Sequence, residues 1–180
     1  MQKSSLIFAL LFLLTSLAQA QVVGKMFPQL EGETVEDEVL NIPVDTKGKY
    51  TLIGMAYSKK SEGDLNTWFR PAYSTFINKA EGLFSSFGYD VNLYFIPMYT
   101  GIKAAASGAG KKQVREKVDS RLHPHVLFYK GKLKPYKDAL DFEKKNVPYF
   151  FVLDKNGKII YATSGKYTDK KMADIENLLE

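Results

Sequence analysis

The chain has 180 residues, of which 45% are apolar, 13% aromatic and 25% charged, and its formal net charge is +5. This length predicts one domain, and the composition excludes a disordered chain, a collagen-like fibre and a polytopic membrane protein. The chain has no cysteine, which excludes disulfides, thiolate nucleophiles, cysteine-ligated zinc and iron–sulfur clusters.

The first twenty residues have the layout of a secretory signal. Lys3 precedes an apolar run over residues 6–14, and small residues follow up to Ala18-Gln19-Ala20. This order is typical of a cleaved signal peptide, and the run is too short for a transmembrane anchor, which needs about 20 residues. We therefore expect a signal peptide at 1–20, a folded domain at 21–180, export to the periplasm or the extracellular space, and no stable membrane anchor after cleavage.

The first half of the domain predicts a buried strand followed by a long helix. Residues 21–48 are rich in glycine, proline and acids and predict a loop or a hairpin. Residues 50–57 are mostly apolar without alternation, which indicates a strand buried on both faces. Apolar residues then recur at three- and four-residue steps from Leu65 to Phe84, which predicts a helix with one face on the core. Because Pro71 lacks an amide hydrogen, we expect a kink or a break there.

Two details of this helix matter for function. Its start is predicted at Ser61, with Ser61 as the cap and Asp64 reaching back. Four aromatic residues lie at helical spacing and are assigned to the core rather than to a groove: Trp68, Phe69, Tyr73 and Phe76.

The second half predicts alternating strands and helices and ends in a hairpin. The turn Asp154-Lys155-Asn156-Gly157 joins the last two strands. The predicted elements are a buried strand at 91–98, a loop or weak helix at 99–112, a short helix at 111–121, a strand at 126–129, a weak helix at 136–145, strands at 147–153 and 158–161, and a helix at 168–179 capped by Thr168. This order predicts an α/β fold with a mixed central sheet and helices on both faces.

The most specific sequence signal is VPYFFVLDKNGKI at residues 147–159. With GKYTLI at 48–53 and the loop into the long helix, it resembles the thioredoxin-like superfamily, in particular its exported branch of peroxiredoxin-related and cytochrome-maturation-type proteins. A second, weaker resemblance, carried by DLNTW at 64–68 and GKYT at 165–168, is to a cysteine-free branch that includes mitochondrial factors assisting ATP synthase assembly. The resemblance covers residues 24–180 and implies a thioredoxin-like fold.

The resemblance also implies where a thiol site would lie. Thiol-active members carry Cys-x-x-Cys, or one peroxidatic cysteine, where the first core strand meets the helix. Here that junction reads Tyr57-Ser58-Lys59-Lys60-Ser61. A serine hydroxyl cannot perform disulfide exchange, so thiol–disulfide oxidoreductase activity is excluded and no catalytic residue is assigned.

The junction is still a candidate binding site. It is a helix N-terminus at the carboxyl ends of parallel strands, where ligands usually bind in open α/β sheets. Its backbone amides, with Lys59 and Lys60, are suited to a carboxylate or a phosphate. The alternative is an ordinary solvated loop.

Pro148 is the second candidate. In the superfamily that the chain resembles, the proline at this position follows a cis bond and faces the junction, which implies a cis Val147–Pro148 bond beside backbone groups that pair with an extended peptide. The alternative is a purely architectural proline. The expected binding groove is formed by Tyr57, Ser58, Lys59, Lys60, Ser61, the 97–101 turn, Val147 and Pro148.

Other site classes find little support. His123 and His125 are the only histidines, and Pro124 between them favours extended geometry that splays their side chains, so we expect no metal site and no cofactor. No G-x-S-x-G motif of a serine hydrolase occurs. Lysines alternate with acids, which disfavours nucleic acid as a partner.

These observations predict an exported, redox-inactive thioredoxin-like protein that binds a polypeptide or an envelope protein partner in an assembly or chaperone-like role. Two alternatives remain open. One is a non-thiol enzyme that uses Ser58, Lys59 or Lys60 in acid–base or nucleophilic chemistry, although a lysine base must be desolvated and these lysines have hydrophilic neighbours. The other is a structural module of an envelope complex.

Overall fold

The computed structural model describes residues 22–78 and 89–179. Its elements, in chain order, are β1 (Leu30–Glu33), β2 (Val39–Ile42), β3 (Tyr50–Ala56), α1 (Lys59–Tyr73), β4 (Val91–Thr100), α2 (Ser107–Lys117), β5 (Tyr129–Gly131), α3 (Lys134–Leu140), β6 (Tyr149–Leu153), β7 (Ile159–Ser164) and α4 (Asp169–Leu179). A π-helical turn (Ser74–Asn78) continues α1, and two 3₁₀ helices (Gly101–Ala106 and Ser120–His125) flank α2.

Strand β3 lies in the middle of a five-stranded sheet of order β5-β4-β3-β6-β7. It pairs in parallel with β4 and antiparallel with β6, and every residue after Tyr50 in the strand is buried. β5 is parallel to β4, whereas β6 and β7 form the predicted hairpin. The predicted mixed sheet, with the 50–57 strand in its interior, is confirmed.

Both faces of this sheet are covered, as predicted. On one face, α1 and α4 bury residues such as Leu65 and Ile175 against the sheet. On the other face, α3 and the antiparallel β1–β2 hairpin bury Leu140 and Ile42 against it. Each of these helices therefore turns its apolar face to the sheet and its opposite face to solvent, which confirms the predicted α/β architecture.

Helix α1 lies close to the sheet because Gly54 has no side chain. A Cβ at this position would lie 2.6 Å from Phe150 Cε1 and 2.8 Å from Leu65 Cδ1. Trp68 packs beside it, with its ring 4.0 Å from that of Phe150, and donates its indole N–H to the Gly165 carbonyl at 3.0 Å. This packing fixes the position of α1 over the central strands.

The structure corrects the course of the long helix. It passes through Pro71 and then widens at Ser74, whose amide contacts the carbonyls of Arg70 and Pro71. The predicted kink or break is thus a change to π-helical winding three residues after the proline. The part of the predicted helix from residue 79 to 84 lies outside the described residues.

Other predicted bounds shift because local caps and bridges decide them. α2 begins earlier than predicted and stops at Lys117, since Asp119 accepts the Arg121 amide and starts a separate 3₁₀ turn. The strand predicted at 126–129 becomes β5, which is preceded by isolated bridges of Val126 and Phe128. The helix predicted at 136–145 is α3, ended by the left-handed Asp141.

The amino-terminal segment is fastened at two places. Its backbone pairs with the turn between β6 and β7, where the Phe27 amide donates to the Gly157 carbonyl at 3.0 Å. The β1–β2 hairpin is held by Lys111, whose ammonium lies 2.6 Å from Asp37 and 3.0 Å from Glu33. Lys111 is buried, and its hydrogen bond lowers the pKa of Asp37. The hairpin is therefore an integral part of the domain.

Candidate functional site: the strand–helix junction and a groove along the first helix

The junction is built by a reciprocal cap. Ser58 is the N-cap of α1, and its Oγ accepts the Ser61 amide at 3.1 Å, while Ser61 Oγ accepts the Ser58 amide at 3.0 Å. The prediction that Ser61 caps the helix, with Asp64 reaching back, is wrong. The cap lies three residues earlier, because Ser58 and Ser61 form the same reciprocal pair of hydrogen bonds. The helix therefore begins directly after the strand.

Neither serine hydroxyl is available for chemistry. Ser58 and Ser61 are buried, and their Oγ atoms lie 3.0 Å apart. Ser58 Oγ also donates to the side-chain carbonyl of Asn146 at 3.4 Å. None of these partners is a general base, so the geometry gives no support to a nucleophilic role for Ser58.

Tyr57 is a packing residue in this structure. Its ring stacks on Phe142 at 5.6 Å, and its hydroxyl donates to the Phe142 carbonyl at 3.4 Å. Burial, with a smaller contribution from Tyr149, raises the pKa of Tyr57 to about 12. Tyr57 therefore remains a neutral phenol beneath the junction.

The structure places the remaining predicted site residues around this cap. Lys59 and Lys60 are exposed. The contact between Ser58 and Asn146 brings the next two residues, half-buried Val147 and buried Pro148, beside the junction.

The predicted cis Val147–Pro148 bond is wrong. Within the described ranges the cis peptide bond is Ile42–Pro43. The carbonyl of Pro148 accepts the Gly165 amide at 2.8 Å and so prolongs the β6–β7 pairing. The trans form, which is the ordinary state of such bonds, is compatible with that extended pairing.

A groove along α1 is a feature that the sequence analysis missed. It consists of two adjoining cavities of about 320 and 500 Å³. The smaller one includes Pro97 and Tyr99 from the predicted 97–101 wall. Both cavities share the same four residues, two on α1 and two at the end of α2: Asn66, Phe69, Lys117 and Val118.

The aromatic residues of α1 divide between core and groove. Trp68 and Phe76 are fully buried, as predicted. Phe69 and Tyr73 are half-buried: they pack against the core, as predicted, and they also line the groove, which was not predicted. Helical spacing alone could not distinguish the buried pair from the groove-lining pair. The second wall of the groove is formed by α2, and the position of α2 depends on tertiary packing.

The charged side chains at the groove differ in their partners and in their surroundings. Asp119 is hydrogen-bonded to Arg121, which lowers the pKa of Asp119 to about 2. Glu62 lies at the opposite end, where burial raises its pKa despite nearby Lys103 and Lys59. The middle of the groove is lined by the exposed cations Arg70 and Lys117.

The described ranges contain neither a cluster of three or more metal-ligating side chains nor a helix long and apolar enough to cross a bilayer. His123 contacts the Val118 carbonyl at 3.1 Å and Glu36 at 3.4 Å, and His125 contacts the Leu93 carbonyl at 3.0 Å. Each histidine is therefore engaged with different partners.

Solved structures with a similar fold are thioredoxin-like proteins. They include a thiol:disulfide interchange protein from Bacteroides sp. (16% identity, TM-score 0.55, covering 87% of this chain and 90% of that one) and the mitochondrial 2-cys peroxiredoxin from Plasmodium falciparum (15%, 0.55, 87% and 93%). Copper-bound yeast Sco1 is a third (14%, 0.50, 87% and 92%). At these identities the similarity shows the fold alone, and the predicted thioredoxin-like fold is confirmed. No curated protein sequence matches the chain significantly.

The family comparison decides between the two sequence resemblances. The model of the ATP10 protein family matches residues 19–179, and this family is that of a mitochondrial ATP synthase assembly factor. The predicted export to the periplasm or the extracellular space is therefore wrong. That prediction depended on a short leader pattern outside the described residues, whereas the family match spans the folded domain. The chain belongs to the ATP10 protein family.

Proposed function

We propose that this protein is a redox-inactive assembly factor that binds a polypeptide of a partner protein at the strand–helix junction. The observation that carries the proposal is the Ser58–Ser61 cap. It occupies the position at which thiol-active relatives carry their cysteines and keeps the helix start ordered without a reactive group. Binding a partner requires the ordered backbone at the helix start, but it does not require a thiol group.

The junction residues have two roles in this proposal. Lys59, Lys60 and Val147 contact the partner, because the lysines are exposed and Val147 is half-buried. Buried Tyr57, Ser58, Ser61 and Pro148 support that surface from beneath. Exposed cations steer an oppositely charged partner and fix its orientation.

Family membership suggests the partner. In this proposal the partner is a subunit of the ATP synthase, bound while the enzyme is being assembled. Residues 21–180 form the binding domain, and residues 1–20 are a cleaved leader.

Complementation tests the proposal. Cells of the source organism that lack this protein are supplied with the wild type, with Lys59→Glu/Lys60→Glu, or with Lys112→Glu, an exposed lysine on α2 that serves as the matched control. Assembled ATP synthase is measured on native gels. We expect the wild type and Lys112→Glu to restore assembly, and the junction variant to restore less than a third as much.

Two results would overturn the proposal. One is an unchanged amount of assembled ATP synthase in cells lacking the protein. The other is full restoration by Lys59→Glu/Lys60→Glu at equal protein level, which would remove the junction from the binding surface.

A further inference from the structure

We infer that the groove along α1 binds an extended polypeptide segment in which acidic side chains alternate with apolar ones. This goes beyond the proposed function, because the groove, which is lined by α1, α2, the segment after α2 and the end of β4, includes neither Ser58 nor Pro148. The inference holds whether or not the junction binds a partner.

The floor of the groove is apolar and only partly covered. Phe69, Tyr73, Val118 and Leu122 line it and are half-buried. Phe69 is held in place from below by Phe95, with ring centroids 4.2 Å apart. Such a surface gains free energy when the apolar side chains of a ligand remove it from water.

The walls supply positive charge. Arg70 on α1 and Lys117 on α2 are exposed, and neither forms an ion pair within residues 22–78 and 89–179. The acid nearest to them in the lining, Asp119, is already bound by Arg121 through contacts of 2.6 and 3.0 Å. A ligand carboxylate therefore meets two cations that have no ion-pair partner among the described residues.

The polar lining favours a polypeptide over a lipid chain. Asn66 and Gln113 line the groove, and their side-chain amides form no hydrogen bond to any other described residue. Each amide offers a donor and an acceptor, which matches the alternating N–H and C=O groups of an extended backbone. An alkyl chain would leave both amides without partners.

The length of the groove sets the length of the segment. The side formed by α1 and the π-helical turn extends from Glu62 to Asn78, which is about 24 Å at about 1.5 Å per helical residue. An extended chain rises about 3.3 Å per residue. A segment of roughly seven or eight residues therefore spans the groove.

Fluorescence anisotropy with a defined probe tests the inference. The probe is fluorescein-labelled Glu-Leu-Glu-Phe-Glu-Leu-Glu-Phe, and its control is the same peptide with lysine in place of glutamate. We expect saturable binding of the acidic probe to the full chain and at least tenfold weaker binding of the lysine peptide.

Variants locate the binding. Arg70→Glu/Lys117→Glu reverses the charge of both walls, and Asn66→Trp fills the region shared by the two cavities. Each should weaken binding of the acidic probe at least tenfold. Lys112→Glu should change it less than twofold, and Lys59→Glu/Lys60→Glu tests whether the probe binds at the junction instead. All changed side chains are exposed, and circular dichroism verifies that the variants fold.

Several outcomes would overturn the inference: no saturable binding, equal binding of the lysine peptide, or an unchanged dissociation constant in Arg70→Glu/Lys117→Glu. Oleate is the lipid probe. Binding of oleate that is lost in Asn66→Trp, without binding of the acidic peptide, would assign the groove to a lipid. Loss of peptide binding only in Lys59→Glu/Lys60→Glu would move the site to the junction, so failures of the two proposals are distinguishable.

Discussion

Glu62 lies where two opposing influences meet in the first turn of α1. The partial positive charge of a helix N-terminus stabilises a carboxylate, and Lys103 and Lys59 act in the same direction. Burial is the larger influence and raises the pKa of Glu62 above its ordinary value. The protonated form is therefore favoured more strongly in the folded protein than in the unfolded chain.

This shift predicts a pH-dependent effect of Glu62→Gln. Between the unfolded and the folded pKa the native state binds more protons, so the stability of the wild type falls as pH rises through this range. The amide does not ionise, so the variant should gain in free energy of unfolding relative to the wild type between pH 4 and pH 8. Urea unfolding at both pH values measures it, with Glu116→Gln, an exposed acid on α2, as the control. An equal difference between Glu62→Gln and the wild type at both pH values would contradict the argument.

At the level of single residues, the sequence located the junction but not its hydrogen bonds. The absence of cysteine and the Ser-x-x-Ser spacing were visible directly. Which serine caps the helix was not, because Ser58 and Ser61 each stand three residues before a residue able to complete a capping box. The geometry of the strand end, which is tertiary, selects Ser58.

The contact between α1 and β3 depends on the missing side chain of Gly54. We expect Gly54→Ala to destabilise the domain by about 1–3 kcal/mol, the usual range for overpacking, because the new methyl group would lie within 3 Å of Phe150 and Leu65. Gly63→Ala is the matched control. It lies on α1 with open space around it and should stabilise the helix by about 0.5–1 kcal/mol.

Chemical unfolding of both variants measures these changes. Equal free energies of unfolding for Gly54→Ala and the wild type would mean that α1 can shift away from the sheet. The position of α1, and with it the shape of the groove, would then be less tightly set than the packing of Trp68 indicates.

Among the elements, the buried strands were predicted well from their apolar runs, whereas the contacts between helices were not predicted. β3 and β6 are buried on both faces, so their sequences are mostly apolar and easily identified. The bounds of α2 depend on a cap at Asp119 and on contacts that have no periodic signal. The groove was missed for the same reason, since Phe69 and Tyr73 have core-like spacing and half-buried positions.

At the scale of the whole molecule, the fold is thioredoxin-like, and the geometry of the Ser58–Ser61 cap predicts that a pair of thiols can be introduced there. In Ser58→Cys/Ser61→Cys, the sulfur atoms replace hydroxyl oxygens that lie 3.0 Å apart, at a helix N-terminus that favours thiolates. We expect an intramolecular disulfide after mild oxidation. Thiol titration measures it, with Ser61→Cys as the control that keeps one free thiol. Two persistent free thiols in the folded double variant would show that the cap geometry excludes the bond.

For the whole molecule, the fold was predicted from the sequence but the location in the cell was not. Element order predicted the mixed α/β sheet, because a sheet of this order has few alternatives, and the thioredoxin-like fold was implied by the resemblance that residues 147–159 carry. The location in the cell was predicted wrongly, since that prediction depended on the pattern of residues 1–20 and not on the domain that the family model matches.

The pairing of Phe27 with the turn at Gly157 has a practical consequence. That turn follows β6 at the end where Leu153 pairs with Thr51, so it lies at the amino end of β3, whereas Ser58 follows the carboxyl end. A surface or a dye coupled to the exposed Lys25, which pairs with Ile159, would therefore be attached at the pole opposite the cap. Immobilised in this way, the domain presents Lys59 and Lys60 outward, an orientation suited to single-molecule and surface-plasmon measurements.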